Sequence, residues 1–205
     1  MAEARLQRVF VFDSDLCIGC NGCSAACQNI NNTTSDLPWR KVHKLPPCDG
    51  DNKTFYISMS CNHCENPPCM NACPTNSYTK RESDGVVIHN SETCMGCKYC
   101  QMACPYGAIK WNNNQGIVNK CHFCFERLDK DEQPACVQTC FAGALTQQII
   151  NIEEMDETHS KEIPGIKYMP DVNYSIRFIL KGEKFKPERD EIFPPVVNRK
   201  EEPNG

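Results

Sequence analysis

The sequence predicts an α+β fold built from repeated short units, each a loop, a short helix and a hairpin. Three observations predict it. The 17 cysteines of this 205-residue chain gather in four groups instead of scattering. A small residue recurs four positions after the last cysteine of three groups, at Ser77, Ala108 and Ala144. Turn-forming dipeptides then separate short apolar runs, so hairpins follow the helices.

In chain order, Val9-Phe10-Val11-Phe12 is the most apolar short run and reads as a strand. Short helices fit Cys23 to Ile30, Pro68 to Cys73, Lys98 to Cys104 and Pro134 to Cys140. Pro134 suits a helix start, where its missing N–H costs nothing. Asp84-Gly85 is a tight-turn dipeptide leading into Val86-Val87-Ile88. Ala108 to Trp111, Asn112 to Gly116 and Ile117-Val118 read as strand, turn and strand. Residues 28–60 carry Pro38, Pro46, Pro47 and Cys48 and read as an insertion. Cys48 has no cysteine neighbour and reads as a bystander. Residues 151–205 hold no cysteine but six prolines, and form a C-terminal extension. Within it, Tyr174, Ile176, Phe178 and Leu180 alternate as one face of a strand. The extension either wraps its own protein or docks on a partner; the sequence leaves both open.

Composition narrows the function. Lys plus Arg is 22 against 26 for Asp plus Glu, a net charge of −4, so nucleic acid is not an expected partner. No apolar run approaches the ~18 residues of a membrane span. Residues 1–8 carry neither a Sec nor a twin-arginine pattern, so no export signal is expected. That disfavours a secreted disulfide scaffold and favours thiolates bound to something.

Spacing says to what. Group I is Cys17-x2-Cys20-x2-Cys23-x3-Cys27, and group II is Cys61-x2-Cys64-x4-Cys69-x3-Cys73. Group III is Cys94-x2-Cys97-x2-Cys100-x3-Cys104, and group IV is Cys121-x2-Cys124-x11-Cys136-x3-Cys140. Disulfides at x2 spacing would be strained neighbour bridges. A zinc ribbon needs no third and fourth cysteine so placed. The run C-x2-C-x2-C-x3-C-P is the signature of [4Fe–4S] ferredoxins. Three thiolates of one tight loop grip three corners of a cubane. The fourth opens a helix pointing away and ligates the neighbouring cluster. Gly19, Gly22 and Gly96 either serve as ordinary turn glycines or let backbone N–H groups reach the cluster. Groups II and III end in Cys-Pro; Gln28 and Phe141 replace that proline in groups I and IV.

These residues resemble the four-cluster iron–sulfur (B) subunits of molybdopterin oxidoreductases, closest to those of dimethyl sulfoxide reductase and polysulfide reductase. The resemblance covers about residues 9–150. It rests on Ser60-Cys61-Asn62-His63-Cys64-Glu65-Asn66-Pro67-Pro68-Cys69, Lys80-Arg81, Asp84-Gly85-Val86-Val87 and the run Cys97 to Ala108. It implies two bis-[4Fe–4S] ferredoxin-like modules with a C-terminal extension. Residues 1–58 plus 113–150 would form one module and 59–112 the other. It further implies four clusters: Cys17, Cys20, Cys23 and Cys140 for the first, and Cys27, Cys121, Cys124 and Cys136 for the second. Cys61, Cys64, Cys69 and Cys104 would hold the third, and Cys73, Cys94, Cys97 and Cys100 the fourth. Nitrate reductase relatives replace one group III cysteine by tryptophan; here every ligand is present.

Each oxidised cluster with its thiolates adds roughly −2 to the charge, so basic residues near ligands gain interest. Lys98, Lys120 and Arg81 either raise cluster potentials or are plain surface charge. His63 and His122 either donate to cluster sulfur or face solvent. No nucleophile elbow, phosphate loop or dinucleotide fingerprint occurs, so no catalytic residues and no enzyme activity of its own are expected. The expected role is one-electron relay between a molybdopterin catalytic subunit and a quinone-reactive membrane anchor. The expected place is peripheral, membrane-associated through partners, on the outer face by co-export with a partner or else cytoplasmic. The rivals are a soluble polyferredoxin serving a hydrogenase or formate-lyase system, and a zinc-bound interaction module.

Overall fold

The computed structural model describes residues 5–45, 54–152, 159–160, 171–173 and 175–179. Cys48, Tyr174 and Leu180 lie outside the described residues, as does most of the C-terminal extension.

Strand β1 (Leu6–Asp13) is the spine. Its apolar run is buried on both sides, with Val9, Phe10, Val11 and Phe12 all at most 3 % exposed. That explains a continuous apolar stretch where a half-exposed strand would alternate. Helix α1 (Gly22–Ile30) follows the first cysteine loop. Strands β2 (Lys41–Leu45) and β3 (Phe55–Met59) then pair antiparallel, Lys41 opposite Met59 and Leu45 opposite Phe55. Within the stretch expected as an insertion, the described residues thus form an antiparallel strand pair. Its apolar residues bury one face: Phe55, Ile57 and Met59 are each at most 6 % exposed.

Next come α2 (Pro68–Asn71), the hairpin of β4 (Tyr78–Lys80) with β5 (Val87–His89), and α3 (Tyr99–Ala103). The hairpin of β6 (Lys110–Asn112) with β7 (Ile117–Asn119) follows. Then α4 (Phe125–Leu128), α5 (Ala135–Gln138) and β8 (Leu145–Asn151) complete the repeat. The order of loop, short helix and hairpin is the expected one for groups II and III. Helix α1 covers the expected span, whereas α2, α3 and α5 are shorter than expected. Lys98 sits at φ 63°, which a right-handed helix cannot continue, so α3 begins at Tyr99. Pro134 is extended (φ −53°, ψ 138°) and precedes α5 instead of opening it.

The extension contributes β9 (His159–Ser160) and β10 (Arg177–Ile179), giving a sheet of order β8-β1-β10-β9. β1 runs antiparallel to β8 and parallel to β10. Val172, Ile176 and Phe178 are buried, so this stretch packs on its own protein. It also clamps the group II loop. Glu65 N–H donates to Asn173 O, Asn66 N–H to Val172 O and Ser175 N–H to Asn62 O. Ser175 Oγ donates to the His63 carbonyl at 2.8 Å.

One core runs through residues of all four groups. Helix α1 packs against α5, and α2 against α3. Group I thus meets group IV through α1 and α5, and group II meets group III through α2 and α3. Arg8–Asp84 and Lys80–Gln7 contacts tie β1 to the β4–β5 hairpin.

Candidate metal centres

The geometry of the cysteine loops repeats. The residue before the second cysteine has positive φ in every group: Gly19 (72°), His63 (43°), Gly96 (73°) and Phe123 (61°). This kink turns successive N–H groups to one side and makes a concavity for an anion. The N–H groups do reach sulfur. Phe123 N–H lies 3.4 Å from Cys121 Sγ, Ser77 N–H 3.3 Å from Cys73 Sγ, and Leu145 N–H 3.3 Å from Cys140 Sγ. Backbone N–H groups of Gly19, Tyr106 and Ala108 likewise serve Cys17 and Cys104. At Gly19 the close-approach reading carries a second constraint, because a Cβ there would strike the Tyr56 ring. Gly22, by contrast, simply opens α1.

All sixteen motif cysteines are free thiols. Cys17, Cys20, Cys23 and Cys140 line one cavity, together with Phe12, Ile18 and Phe141. Cys61, Cys64, Cys69 and Cys104 line another, with His63 and Ile109. Each cavity draws three thiols from one group and the fourth from another. Cys27 lies in the field of Cys136 and Cys124, and Cys121 in that of Cys27 and Cys136. Cys100 lies in the field of Cys73 and Cys94. Cys97 is half-buried in the loop between them. Thiols of different groups also act on one another: Cys23 lies in the field of Cys136, Cys121 in that of Cys61, and Tyr78 in that of Cys100, Cys69 and Cys61.

Burial dominates the thiol chemistry. It pushes Cys27 and Cys69 up to about 12 and raises Cys64 and Cys121 as well. Burial also acts on Cys73, but donors from Thr75 and Ser77 outweigh it and bring that thiol down. Buried thiols that resist ionisation in solvent, ringed by N–H donors, fit a group that supplies positive iron and takes thiolate. Among the described residues no three Cys, His, Asp or Glu side chains close round a single ion.

The basic residues fall into distinct places. Lys120 is 3 % exposed, donating to the carbonyls of Val87 and Cys121 (3.0 Å), with Cys69 and Cys104 in its field. Arg81 is paired with the buried Asp84 and with the exposed Asp129. Lys98 lies over the Trp111 ring at 4.1 Å. His63 is buried, and burial keeps it neutral. Its Nδ1 accepts the Val87 N–H at 3.0 Å, so Nε2 carries the proton, and that atom has no protein partner. His122 packs edge-on against Trp39 and Phe125.

Two features carried no signal in the sequence. The β2–β3 hairpin brings in Arg40, a guanidinium 1 % exposed in the core. Arg40 lies over Phe10 at 4.3 Å, Phe10 stacks on Phe123 at 3.9 Å, and Phe123 meets His63 edge-on. This buried column runs from Arg40 to His63. An isolated arginine in a proline-rich stretch matches no motif, so only the fold reveals it.

A family model described as a 4Fe-4S dicluster domain matches residues 52–150. The B subunit of anaerobic dimethyl sulfoxide reductase of Escherichia coli (strain K12) is 34 % identical over 178 residues, covering 82 % of this chain and 85 % of that one. The arsenate respiratory reductase iron-sulfur subunit ArrB of Shewanella sp. (strain ANA-3) is 31 % identical over 208 residues, covering 77 % and 86 %. The hydrogenase-2 operon protein HybA of Escherichia coli O157:H7 is 30 % identical over 218 residues, covering 93 % and 66 %. Among solved structures, the BamBC complex of benzoyl coenzyme A reductase aligns at 22 % identity over 77 % of this chain and 83 % of its own. Its TM-score of 0.38 is too low to bear on the fold. Repeated cysteine loops with amides aimed at sulfur define an iron–sulfur protein of the ferredoxin type. More narrowly, the chain therefore belongs to the family of iron–sulfur B subunits of molybdopterin oxidoreductases, the electron-transfer subunits of those complexes.

Proposed function

We propose that the chain holds four [4Fe–4S] clusters in series and relays electrons between a molybdopterin catalytic subunit and a quinone-reactive membrane anchor. The ligands would be Cys17, Cys20, Cys23 and Cys140; Cys27, Cys121, Cys124 and Cys136; Cys61, Cys64, Cys69 and Cys104; Cys73, Cys94, Cys97 and Cys100. The observation that carries the reading is the exchange of fourth cysteines. Cys140 joins the group I thiols and Cys104 joins the group II thiols, each round a cavity. A single-group zinc knuckle would not need that exchange. When bound, each cluster supplies a one-electron couple.

The protein's own residues do the rest. Sixteen thiolates bind, backbone N–H groups stabilise sulfur, and the apolar core keeps water from the cavities. The packing of α1 on α5 and of α2 on α3 supports two modules, residues 1–58 plus 113–150 and residues 59–112. Exposed apolar side chains stand near both ends: Ile18 and Phe141 near the first thiol set, Met95, Tyr99 and Met102 near the last. They supply two contact surfaces, one for each partner. No helix among the described residues is long and apolar enough to cross a membrane. Attachment through partners, on the outer face by co-export with the catalytic subunit, is the localisation that follows.

Anaerobic reconstitution tests the reading. About 16 iron per chain is expected from four cubanes; a value near 4, or zinc in place of iron, overturns it. The similarity to HybA favours a second reading, an electron carrier serving a hydrogenase. Co-purification from the native membrane separates the two by which catalytic subunit accompanies the chain.

A further inference from the structure

We propose that Arg40 is a positioning residue for electron transfer: through Ser58 it holds the first cluster's ligand Cys23 at a raised potential, and its charge raises the second cluster as well. The inference rests on the ligand sets proposed above. Arg40 stands immediately before β2, and its backbone is fixed by Ser24 Oγ, which donates to the Arg40 carbonyl at 2.8 Å. Its Nη1 donates to Ser58 Oγ at 3.0 Å, and its Nη2 to Ser60 Oγ at 2.8 Å. Ser58 Oγ in turn lies 3.3 Å from Cys23 Sγ.

Chemistry sets the direction of this relay. A sulfur bound to iron has no proton, so it accepts. The Ser58 oxygen is already accepting from Arg40, which leaves its own hydrogen for Cys23. The guanidinium polarises that hydroxyl, and a donor with charge behind it is stronger than a neutral one. Hydrogen bonds to cluster sulfur stabilise the reduced, more negative state.

The charge of Arg40 acts apart from its hydrogen bond to Ser58. Arg40 is 1 % exposed, and no carboxylate pairs with it among the described residues. Its Nε has no partner either. Arginine stays charged, and a buried unpaired cation is strongly unfavourable. The compensating charge must come from what surrounds it, and its electrostatic neighbours are Cys136, Cys121, Cys23 and Cys27. These belong to the first and second thiol sets, so one fixed cation lies between two proposed clusters.

The test is an anaerobic redox titration followed by EPR on the full chain, with wild type, Ser58→Ala, Arg40→Gln and Arg40→Lys. Ser58→Ala should lower one midpoint only, reducing the reduced-to-oxidised ratio at a fixed poise about three- to tenfold. Tenfold is about 59 mV for a one-electron couple. Arg40→Gln should lower two midpoints, and Arg40→Lys should restore both towards wild type, since it keeps the charge. Unmoved midpoints in Ser58→Ala, or equal shifts in the two Arg40 variants, would overturn the proposal. If Arg40→Gln fails to load iron, Ser58→Ala and Arg40→Lys still decide it. Iron well below about 16 in the wild type would instead sink the cluster assignment itself.

Discussion

The stretch from Asp171 to Ile179 should control how firmly the third cluster is held. It shares six hydrogen bonds with the loop Asn62–Asn66, inside and beside Cys61 and Cys64. It is anchored by Phe178, 3 % exposed and edge-on to Phe12 at 6.5 Å. Truncating a buried Phe to Ala costs about 3–5 kcal/mol. If that loss falls on detachment of β10, opening becomes more than about a hundredfold more frequent. Ser175→Ala is milder. It removes the 2.8 Å bond to the His63 carbonyl, worth about 1 kcal/mol, or roughly fivefold in opening. The assay is anaerobic iron release to a ferrous chelator, followed in time. Both variants should show a fast phase holding one quarter of the iron, with Phe178→Ala the faster. Release at the wild-type rate, or acceleration spread evenly over all the iron, would refute the clamp.

Three further outcomes follow from the same structure. Lys120→Met should strip the Val87 and Cys121 carbonyls of their donor, destabilising by about 2–4 kcal/mol and lowering the third midpoint; denaturation and EPR titration check the two effects separately. Cys140→Ser should disturb the cluster of Cys17, Cys20 and Cys23 and spare that of Cys121, Cys124 and Cys136, read as loss of a single EPR signal. In metal-free protein, burial raises the folded-state Cys27 and Cys69 thiols from 9.0 to about 12. Raised folded values give stability that is complete below pH 9 and lost as pH climbs to 12. Circular dichroism should show that loss in the metal-free chain and not in the loaded one, whose bound thiolates have no proton to release.

The cysteine loops were legible because their chemistry is local: spacing along the chain dictates which thiols can face one cube. The hairpins after Asp84-Gly85 and around Asn112–Gly116 were legible for the same reason, a turn type fixed by its residues. Strand β8 was not. Leu145-Thr146-Gln147-Gln148-Ile149-Ile150-Asn151 lacks alternation, and pairing with β1 alone makes it a strand. The β2–β3 hairpin was hidden by the flanking prolines. Arg40 was hidden because its burial depends on contacts from residue 10 and residues 58–60 meeting in space. Lys120 and Arg81 looked alike in sequence, yet Lys120 is buried on backbone carbonyls and Arg81 is partly exposed and paired with two carboxylates. Only packing separates them.

The same core poses two problems that solve each other. Its thiols resist ionisation because burial penalises thiolate. Its buried cations, Arg40 and Lys120, lack carboxylate partners among the described residues, and burial penalises them too. Without iron the thiols stay protonated and neutral, so they offer the buried cations no negative charge, and the fold is weakened. With iron, the thiols become thiolates whose charge is met partly by metal and partly by Arg40 and Lys120. A chain of formal charge −4 then accommodates clusters of roughly −2 each without a matching rise in buried cations, because the two it has already lie beside the ligands. Cluster loading is thereby coupled to folding, and the residues that relieve the apolar core's electrostatic conflict are the ones placed to set the potentials.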